Sequence, residues 1–158
     1  MKKASLLFLL YLITCLIAPA QVVVGGLLVE NLVNPVGLDQ AQPRFSWQFV
    51  SGKRNAVQTA YEIKVLTGKA TVWSTGKVMS EQSVHVPFAG TALQSGKQYT
   101  WQVRVWDNEV KASAWSQPAT FRTAFLKNSD WKAKWIEPGY IEDNAMRPSP
   151  LMRKQFAV

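Results

Sequence analysis

The stretch from Tyr99 to Asn108 constrains the fold of this chain more than any other, because two kinds of side chain alternate along it. One face carries Tyr99, Trp101, Val103 and Val105, and the other carries Thr100, Gln102, Arg104 and Trp106. A period of two residues predicts a β-strand with one buried face. That face is aromatic or β-branched, which favours a sheet, and Asp107-Asn108 predicts the turn that ends the strand.

The residues just before this strand resemble a tyrosine corner, which is a feature of β-sandwich domains. Leu93 is followed by a short turn over residues 94–97, and Tyr99 then opens the strand. In a tyrosine corner the phenol lies at the rim of the core, and its hydroxyl bonds the backbone a few residues upstream. The signal therefore concerns structure, and none of these residues is placed for chemistry.

Six further stretches are short, apolar or alternating, and they are separated by turn residues. They cover residues 22–38 (interrupted by Gly25-Gly26), 43–49, 61–65, 71–74, 84–88 and 114–123 (broken around Pro118). We predict an all-β fold, an antiparallel β-sandwich of about seven strands of the fibronectin type III or immunoglobulin-like kind. Trp47 is the expected core tryptophan, and Pro87, which cannot donate to a ladder, predicts an edge strand there.

Residues 1–20 have the organisation of an export signal. Lys2 and Lys3 precede an apolar run over residues 6–17, and Ala18-Pro19-Ala20 forms a cleavage site. We expect a periplasmic or secreted protein with no transmembrane segment after cleavage. The only cysteine, Cys15, lies inside the apolar run, and we do not expect lipid anchoring there because Thr14 is bulky for the residue before a lipidated cysteine. The mature chain therefore has no disulfide.

The charge balance is basic. The chain has 18 basic and 10 acidic residues, and removal of Lys2 and Lys3 with the signal leaves 16 basic residues and a net charge of +6. Such a surplus either favours anionic partners or reflects lysines spread over a solvated surface. No run of five like charges occurs, so nucleic acid is not expected as a partner.

The composition changes after Thr123 and predicts a domain boundary. We expect the β-sandwich to span residues 21–125, a linker and inter-domain segment to span 126–150, and the first strand of a truncated second β-sandwich to span 151–158. Residues 131–136 alternate and are expected to dock in part on the first sandwich, whereas residues 137–158 are expected to be mobile.

Nothing in the sequence predicts a catalytic, metal-binding or cofactor-binding residue. Glycoside hydrolysis needs two carboxylates that face each other, but Asp107 and Glu109 flank a turn and are expected to be solvated. His85, expected on an outward strand position, is the only histidine and has no evident nucleophile to activate. Without mature cysteines, a metal-ligand set is absent as well.

The remaining candidates for function are aromatic side chains outside the core. Trp106 lies on the outward face of its strand, and three interpretations are open: packing against Trp115 with Arg104 or Arg122 stacked on the rings, contact with a neighbouring domain, or stacking on a sugar. The candidates for exposed or inter-domain contacts are Trp106, Trp115, Trp131 and Trp135, and Trp73 is a further candidate for stacking on sugar rings.

An ordered series of motifs resembles a known family. The series includes Leu28-Val29-Glu30-Asn31-Leu32, Pro43-Arg44-Phe45-Ser46-Trp47, Tyr99-Thr100-Trp101-Gln102-Val103-Arg104-Val105-Trp106-Asp107 and Asp130-Trp131-Lys132-Ala133-Lys134-Trp135-Ile136. It resembles the N-terminal fibronectin type III-like region of bacterial α-L-rhamnosidases, which are large multidomain glycoside hydrolases of family 78. The resemblance implies an accessory domain, followed by a second β-sandwich and an (α/α)6 barrel that hydrolyses terminal α-L-rhamnose with inversion.

Two functions therefore compete. The first is a non-catalytic accessory module of an exported α-L-rhamnosidase, inert by itself, whose partners are the downstream domains of the same parent chain. The second is a stand-alone exported module for carbohydrate binding or adhesion. No catalytic residue of the family can be carried onto any position of this sequence.

Overall fold

The computed structural model describes residues 22–136, and beyond them residues 139, 145, 149, 151 and 153–155. Two sheets pack face to face in this part of the chain, which confirms the all-β, immunoglobulin-like sandwich. Its nine strands are β1 (Val23–Val29), β2 (Val36–Leu38), β3 (Arg44–Val50), β4 (Gln58–Thr67), β5 (Ala70–Ser74), β6 (Val78–Met79), β7 (Val86–Pro87), β8 (Gln98–Asp107) and β9 (Ala119–Thr123). A single 3₁₀ turn, Asn128–Asp130, follows β9 in the described residues.

The first sheet is antiparallel and has the order β1-β3-β7. Gly25-Gly26 does not interrupt β1, as the sequence suggested, but forms a bulge within it. Gly26 has φ +59, which favours glycine, and a Cβ there would lie 2.8 Å from Cδ of Gln48, so a larger residue would also displace that side chain. Pro87 lies in β7 at the edge of this sheet, as predicted.

The second sheet has the order β2-β9-β8-β4-β5, with β6 also paired to β4. Strand β8 lies near its middle and pairs antiparallel with both β4 and β9. The predicted single strand region over residues 22–38 is in fact two strands in different sheets. The chain changes sheet at a turn in which Glu30, Asn31 and Asn34 all have positive φ.

The core lies between the two sheets and is built from the alternating residues that the sequence indicated. Trp47 is 3% exposed, and its ring meets Tyr61 edge-on at 5.2 Å between centroids. Trp101 is fully buried and packs against Phe45 at 4.6 Å. The tyrosine corner is confirmed, because the hydroxyl of Tyr99 accepts a hydrogen bond of 2.9 Å from the backbone N–H of Gln94.

Three local predictions were wrong. Residues 114–116 form no strand, the short strand β6 was missed, and His85 lies just outside β7 with φ +54 instead of on an outward strand position. The predicted export signal over residues 1–20 lies outside the described residues. The predicted strand over residues 151–158 does so for the most part, and the boundary near residue 125 stays a prediction.

Candidate functional surface

Most carboxylates of the described residues are engaged by cations, by backbone N–H groups or by a hydroxyl group. Glu30 receives a forked interaction from Arg44, with 2.6 Å between Oε2 and Nη2 and 3.1 Å to Nε. It also accepts the backbone N–H of Arg44 at 2.7 Å. The side-chain hydrogen bond from Arg44 is the largest cause that holds the pKa of Glu30 below its ordinary value. A general acid in hydrolysis needs a pKa shifted upward, so Glu30 is a structural carboxylate.

The turn between β8 and β9 uses its acids in the same structural way. Glu109 binds Lys53 at 2.7 Å and Lys111 at 3.3 Å, and the hydrogen bond from Lys53 is the main cause that lowers the pKa of Glu109. Asp107 was expected to be solvated, but it is buried. Its Oδ1 accepts the backbone N–H groups of Glu109 and Lys111, both at 3.0 Å, because the tight turn leaves these donors without a ladder partner.

His85 is occupied by a neighbouring amide and not by a reactive partner. Its Nε2 lies 2.9 Å from Oδ1 of Asn31, and its backbone N–H donates to Oγ of Ser46. Among the described residues no group of three or more His, Cys, Asp or Glu side chains could hold a metal ion.

The outward face of the second sheet carries alternating cations and indole rings. The order is Lys77, Trp106, Arg104, Trp115 and Lys64, and we call these five residues the ladder. Lys77 Nζ lies 4.7 Å from the Trp106 ring centroid, and the Arg104 guanidinium carbon lies 5.1 Å from it. The same Arg104 carbon is 4.8 Å from the Trp115 centroid, which Lys64 Nζ approaches to 4.0 Å.

Backbone and serine hydroxyl contacts hold the Trp115 end of the ladder against β8. Oγ of Ser113 accepts the N–H of Val105, and Oγ of Ser116 accepts the N–H of Val103, both at 3.1 Å. The backbone N–H groups of the two serines donate back to the carbonyls of the same strand residues. The serine side chains thus replace part of the regular backbone pairing between strands, which explains why this segment follows β8 without being a strand.

The surroundings of the rings bear on two interpretations of Trp106: stacking with an arginine and stacking on a sugar. Trp106 and Trp115 are partly buried, and two cations lie against each ring. Arg104, not Arg122, is the arginine involved. A sugar that stacks on an aromatic residue needs a free ring face, so the ladder does not favour stacking of a neutral sugar. Trp73 does not favour it either, because it faces the core and packs on Phe88 at 4.9 Å.

A second surface lies where the chain leaves the sandwich after β9. Its apolar side chains are Phe125, Trp131, Trp135 and Ile136, with exposed fractions of 57%, 57%, 94% and 69%. We call these four residues the exit patch. Trp131 meets Phe125 edge-on at 5.9 Å between centroids. Exposed apolar surface of this kind is typical of a site that contacts another domain.

Hydrogen bonds fasten the start of this exit to the sandwich. Oγ of Ser95, in the tyrosine-corner turn, accepts the N–H of Leu126 at 2.9 Å and donates to Oδ2 of Asp130. Asp130 also accepts the N–H of Lys127 at 3.3 Å, which closes the 3₁₀ turn. The exit patch therefore begins at a defined position at the end of the sandwich.

Sequence reasoning found both tryptophans of the ladder and missed two of its cations. Lys64 lies in the alternating stretch over residues 61–65, and Lys77 falls outside the predicted strands. The pairing of β4 with β8 places Lys64 opposite Gln102, two residues from Arg104. This pairing brings Lys64 to the same face as the arginine. Recognising it required knowing that these two strands are neighbours.

Among the described residues no helix is long and apolar enough to cross a membrane.

A protein-family model described as "Rha78A-like, N-terminal immunoglobulin domain" matches residues 24–127. An α-L-rhamnosidase from Streptomyces avermitilis is 43% identical over 113 residues, which cover 68% of this chain and 11% of the relative. One from Formosa agariphila is 36% identical over 140 residues, which cover 80% of this chain and 15% of the relative. The chain thus spans 11–15% of the length of the curated relatives it matches.

Solved structures agree with these matches. The crystal structure of the S. avermitilis α-L-rhamnosidase complexed with L-rhamnose superposes with a TM-score of 0.71 at 40% identity, covering 73% of this chain and 12% of that one. The α-L-rhamnosidase from Dictyoglumus thermophilum superposes with a TM-score of 0.70 at 36% identity, covering 73% of this chain and 14% of that one.

Proposed function

This chain belongs to the family of Rha78A-like N-terminal immunoglobulin domains, and we propose that it is the non-catalytic accessory β-sandwich at the N-terminus of an exported α-L-rhamnosidase. The parent enzyme hydrolyses terminal α-L-rhamnose from glycans or glycosides. The module is inert by itself, and its partners are the downstream domains of the same chain.

The exit patch is the observation that carries this proposal. Trp135 is 94% exposed and Ile136 is 69% exposed, immediately after a segment that Ser95 and Asp130 fasten to the sandwich. Burying apolar surface stabilises a contact by roughly 25 cal/mol per Å², so these side chains favour coverage by another domain. A fastened start and an apolar continuation suit a module that is packed against its neighbour.

A domain replacement tests the packing role. The matching domain of the S. avermitilis α-L-rhamnosidase is replaced by residues 22–136 of this chain. We expect the chimera to hydrolyse an aryl α-L-rhamnoside and to be more stable to heat than the enzyme that lacks the domain. Replacing Trp131 and Trp135 by serine should abolish this gain in stability.

The matched control is a chimera with Met79→Ser and Val110→Ser, which removes two equally exposed apolar side chains away from the exit. It should keep the full gain. If both pairs of substitutions act alike, or if the domain gives no gain at all, the packing role is contradicted.

The catalytic and export parts of the proposal have separate tests. The purified chain should show no turnover of an aryl α-L-rhamnoside, and turnover that follows the folded protein through successive columns would contradict inertness.

When the chain is produced in a bacterium, the exported form should begin at Gln21, which N-terminal sequencing determines. The genomic sequence beyond the codon for Val158 should continue with several hundred residues of a helical-barrel pattern.

A further inference from the structure

We propose that the ladder is a binding surface for an anionic polysaccharide, whose carboxylate or sulfate groups pair with its cations. The choice of a polysaccharide as occupant rests on the proposed function, which places the module in an enzyme that acts on glycans. The charge and geometry of the ladder support a ligand that is anionic and linear.

The ladder has three cations, and in the described part of the chain one of them is paired with a carboxylate. Glu62 pairs with Arg104, with 2.7 Å between Oε2 and Nη2. Lys64 and Lys77 contact indole rings but form no ion pair in the described part of the chain. Two positive charges on this face are therefore available to an anionic ligand.

These cations are ordered before any ligand arrives. A mobile lysine side chain loses much of its conformational entropy when a ligand immobilises it. Contacts with the rings at 4.0 and 4.7 Å already restrict Lys64 and Lys77. Folding has already restricted these side chains, so binding an anion to them loses less side-chain entropy than binding it to mobile surface lysines.

The arrangement of the ladder favours a linear polyanion. Its cations follow one another across the outward face of β4 and β8, so repeated acidic groups on one polymer can engage several of them together. Single-stranded nucleic acid would instead need free aromatic faces on which its bases could stack. In the ladder each ring already has two cations against it, which disfavours this alternative.

The ladder and the exit patch also lie toward opposite ends of the sandwich. Trp106 is near the end of β8, whereas Ser95, which fastens the exit, precedes its start. At about 3.3 Å per residue, Trp106 lies roughly 25 Å from the start of β8, and Lys64, which is opposite Gln102, lies roughly 13 Å from it. A polysaccharide on the ladder therefore does not compete with a domain on the exit patch.

Binding of the chain to polygalacturonate and to dextran sulfate, with neutral dextran as reference, tests the proposal by titration calorimetry. We expect binding to both acidic polymers and none to dextran, with an affinity that falls as salt rises. The double variant Lys64→Gln, Lys77→Gln should bind roughly tenfold more weakly, since it removes the two unpaired cations that face the acidic groups.

The matched control is Lys69→Gln, Lys97→Gln, which removes the same charge from exposed positions outside the ladder. It should change the affinity by less than about twofold. Lys77→Gln alone, at the exposed end of the ladder, keeps the test informative if the double variant unfolds.

Equal weakening by both double variants would show that only net charge matters, and would overturn the proposal. Equal affinity for a short DNA duplex, or no binding to either acidic polymer at about 150 mM salt, would overturn it as well. The replacement experiment on the rhamnosidase does not involve the ladder, so either hypothesis can fail while the other stands.

Discussion

At the scale of single residues, Trp47 both packs in the core and forms a buried hydrogen bond. Its ring is 3% exposed, and its Nε1 donates to Oε1 of Gln58 at 2.9 Å. We expect Trp47→Ala to lower the free energy of unfolding by about 3–5 kcal/mol through lost transfer energy and a cavity. That is a large part of the roughly 5–15 kcal/mol that stabilises a domain.

Urea denaturation of the purified chain measures this loss, with Trp135→Ala as the control. Trp135 is 94% exposed, so its replacement should change the free energy of unfolding by less than about 0.5 kcal/mol. A loss below about 1 kcal/mol for Trp47→Ala would contradict its role in the core.

Gln58 shows where prediction from sequence stops at this scale. Trp47 is recognisable because it lies in an alternating strand, but a glutamine carries no such signal. Gln58 is buried, and its Nε2 donates to the carbonyls of Ser80 and Gln82, which lie 22 and 24 residues further along the chain. A buried amide of this kind becomes visible only when its distant partners have been placed.

Glu30 makes stability depend on pH. The hydrogen bond from Arg44 lowers the pKa of Glu30 in the folded chain, whereas the unfolded chain has the ordinary value of about 4.3. Just below that value the unfolded chain binds more protons than the folded one, so stability is full above it and is lost as the pH falls through the folded pKa. We expect the free energy of unfolding to decrease as the pH falls from about 5 through the folded pKa of Glu30, and Glu30→Gln to reduce this decrease.

The matched control is Glu81→Gln, which removes an exposed carboxylate that forms no ion pair in the described residues. It should leave the pH dependence of unfolding unchanged. A Glu30→Gln profile that overlies the profile of the unmodified chain would exclude the contribution of Glu30.

At the scale of elements, the tyrosine corner fixes the connection that leads into β8. The hydroxyl of Tyr99 accepts the N–H of Gln94 at 2.9 Å, five residues upstream. Tyr99→Phe leaves that donor without its partner and should lower the free energy of unfolding by about 1–3 kcal/mol. Tyr61→Phe is the control, because the Tyr61 ring is also buried, against Trp47, and the hydrogen bonds of the described residues do not involve its hydroxyl.

Equal effects of the two substitutions in thermal and urea unfolding would show that the corner adds nothing beyond burial of the ring. A larger effect of Tyr99→Phe, with slower exchange of the Gln94 amide in the unmodified chain, is the outcome that the structure supports.

Elements that depend on their own residue pattern were predictable, and elements that depend on a neighbour were not. Strand β8 follows from its alternation alone. The segment that carries Trp115 was predicted to be the first part of a last strand that is broken around Pro118. Its bonds to β8 come in part from the hydroxyls of Ser113 and Ser116 instead. The ladder depends on that segment, so its two lysines were out of reach of sequence reasoning.

At the scale of the whole molecule, the two sheets enclose the core, and the described residues between β9 and Ile136 are held to the sandwich by a few contacts. Ser95 binds Leu126 and Asp130, and Trp131 touches Phe125. From Lys132 to Ile136 every residue is exposed. Since ordering each backbone residue costs about 1–2 kcal/mol, this segment is expected to open far more readily than the sandwich.

Limited proteolysis with trypsin tests this difference. We expect the first cuts after Lys132 and Lys134 and in the residues that follow, leaving a stable fragment that contains all nine strands. Ser95→Ala removes the contacts to Leu126 and Asp130 and should open a further early site after Lys127, while a substitution of Ser51, in the exposed loop after β3, should not. Mass spectrometry of the fragments identifies each cut. Cleavage that begins inside residues 45–105 while Lys132 and Lys134 stay intact would contradict both the boundary of the domain and the role of Ser95 in fastening its exit.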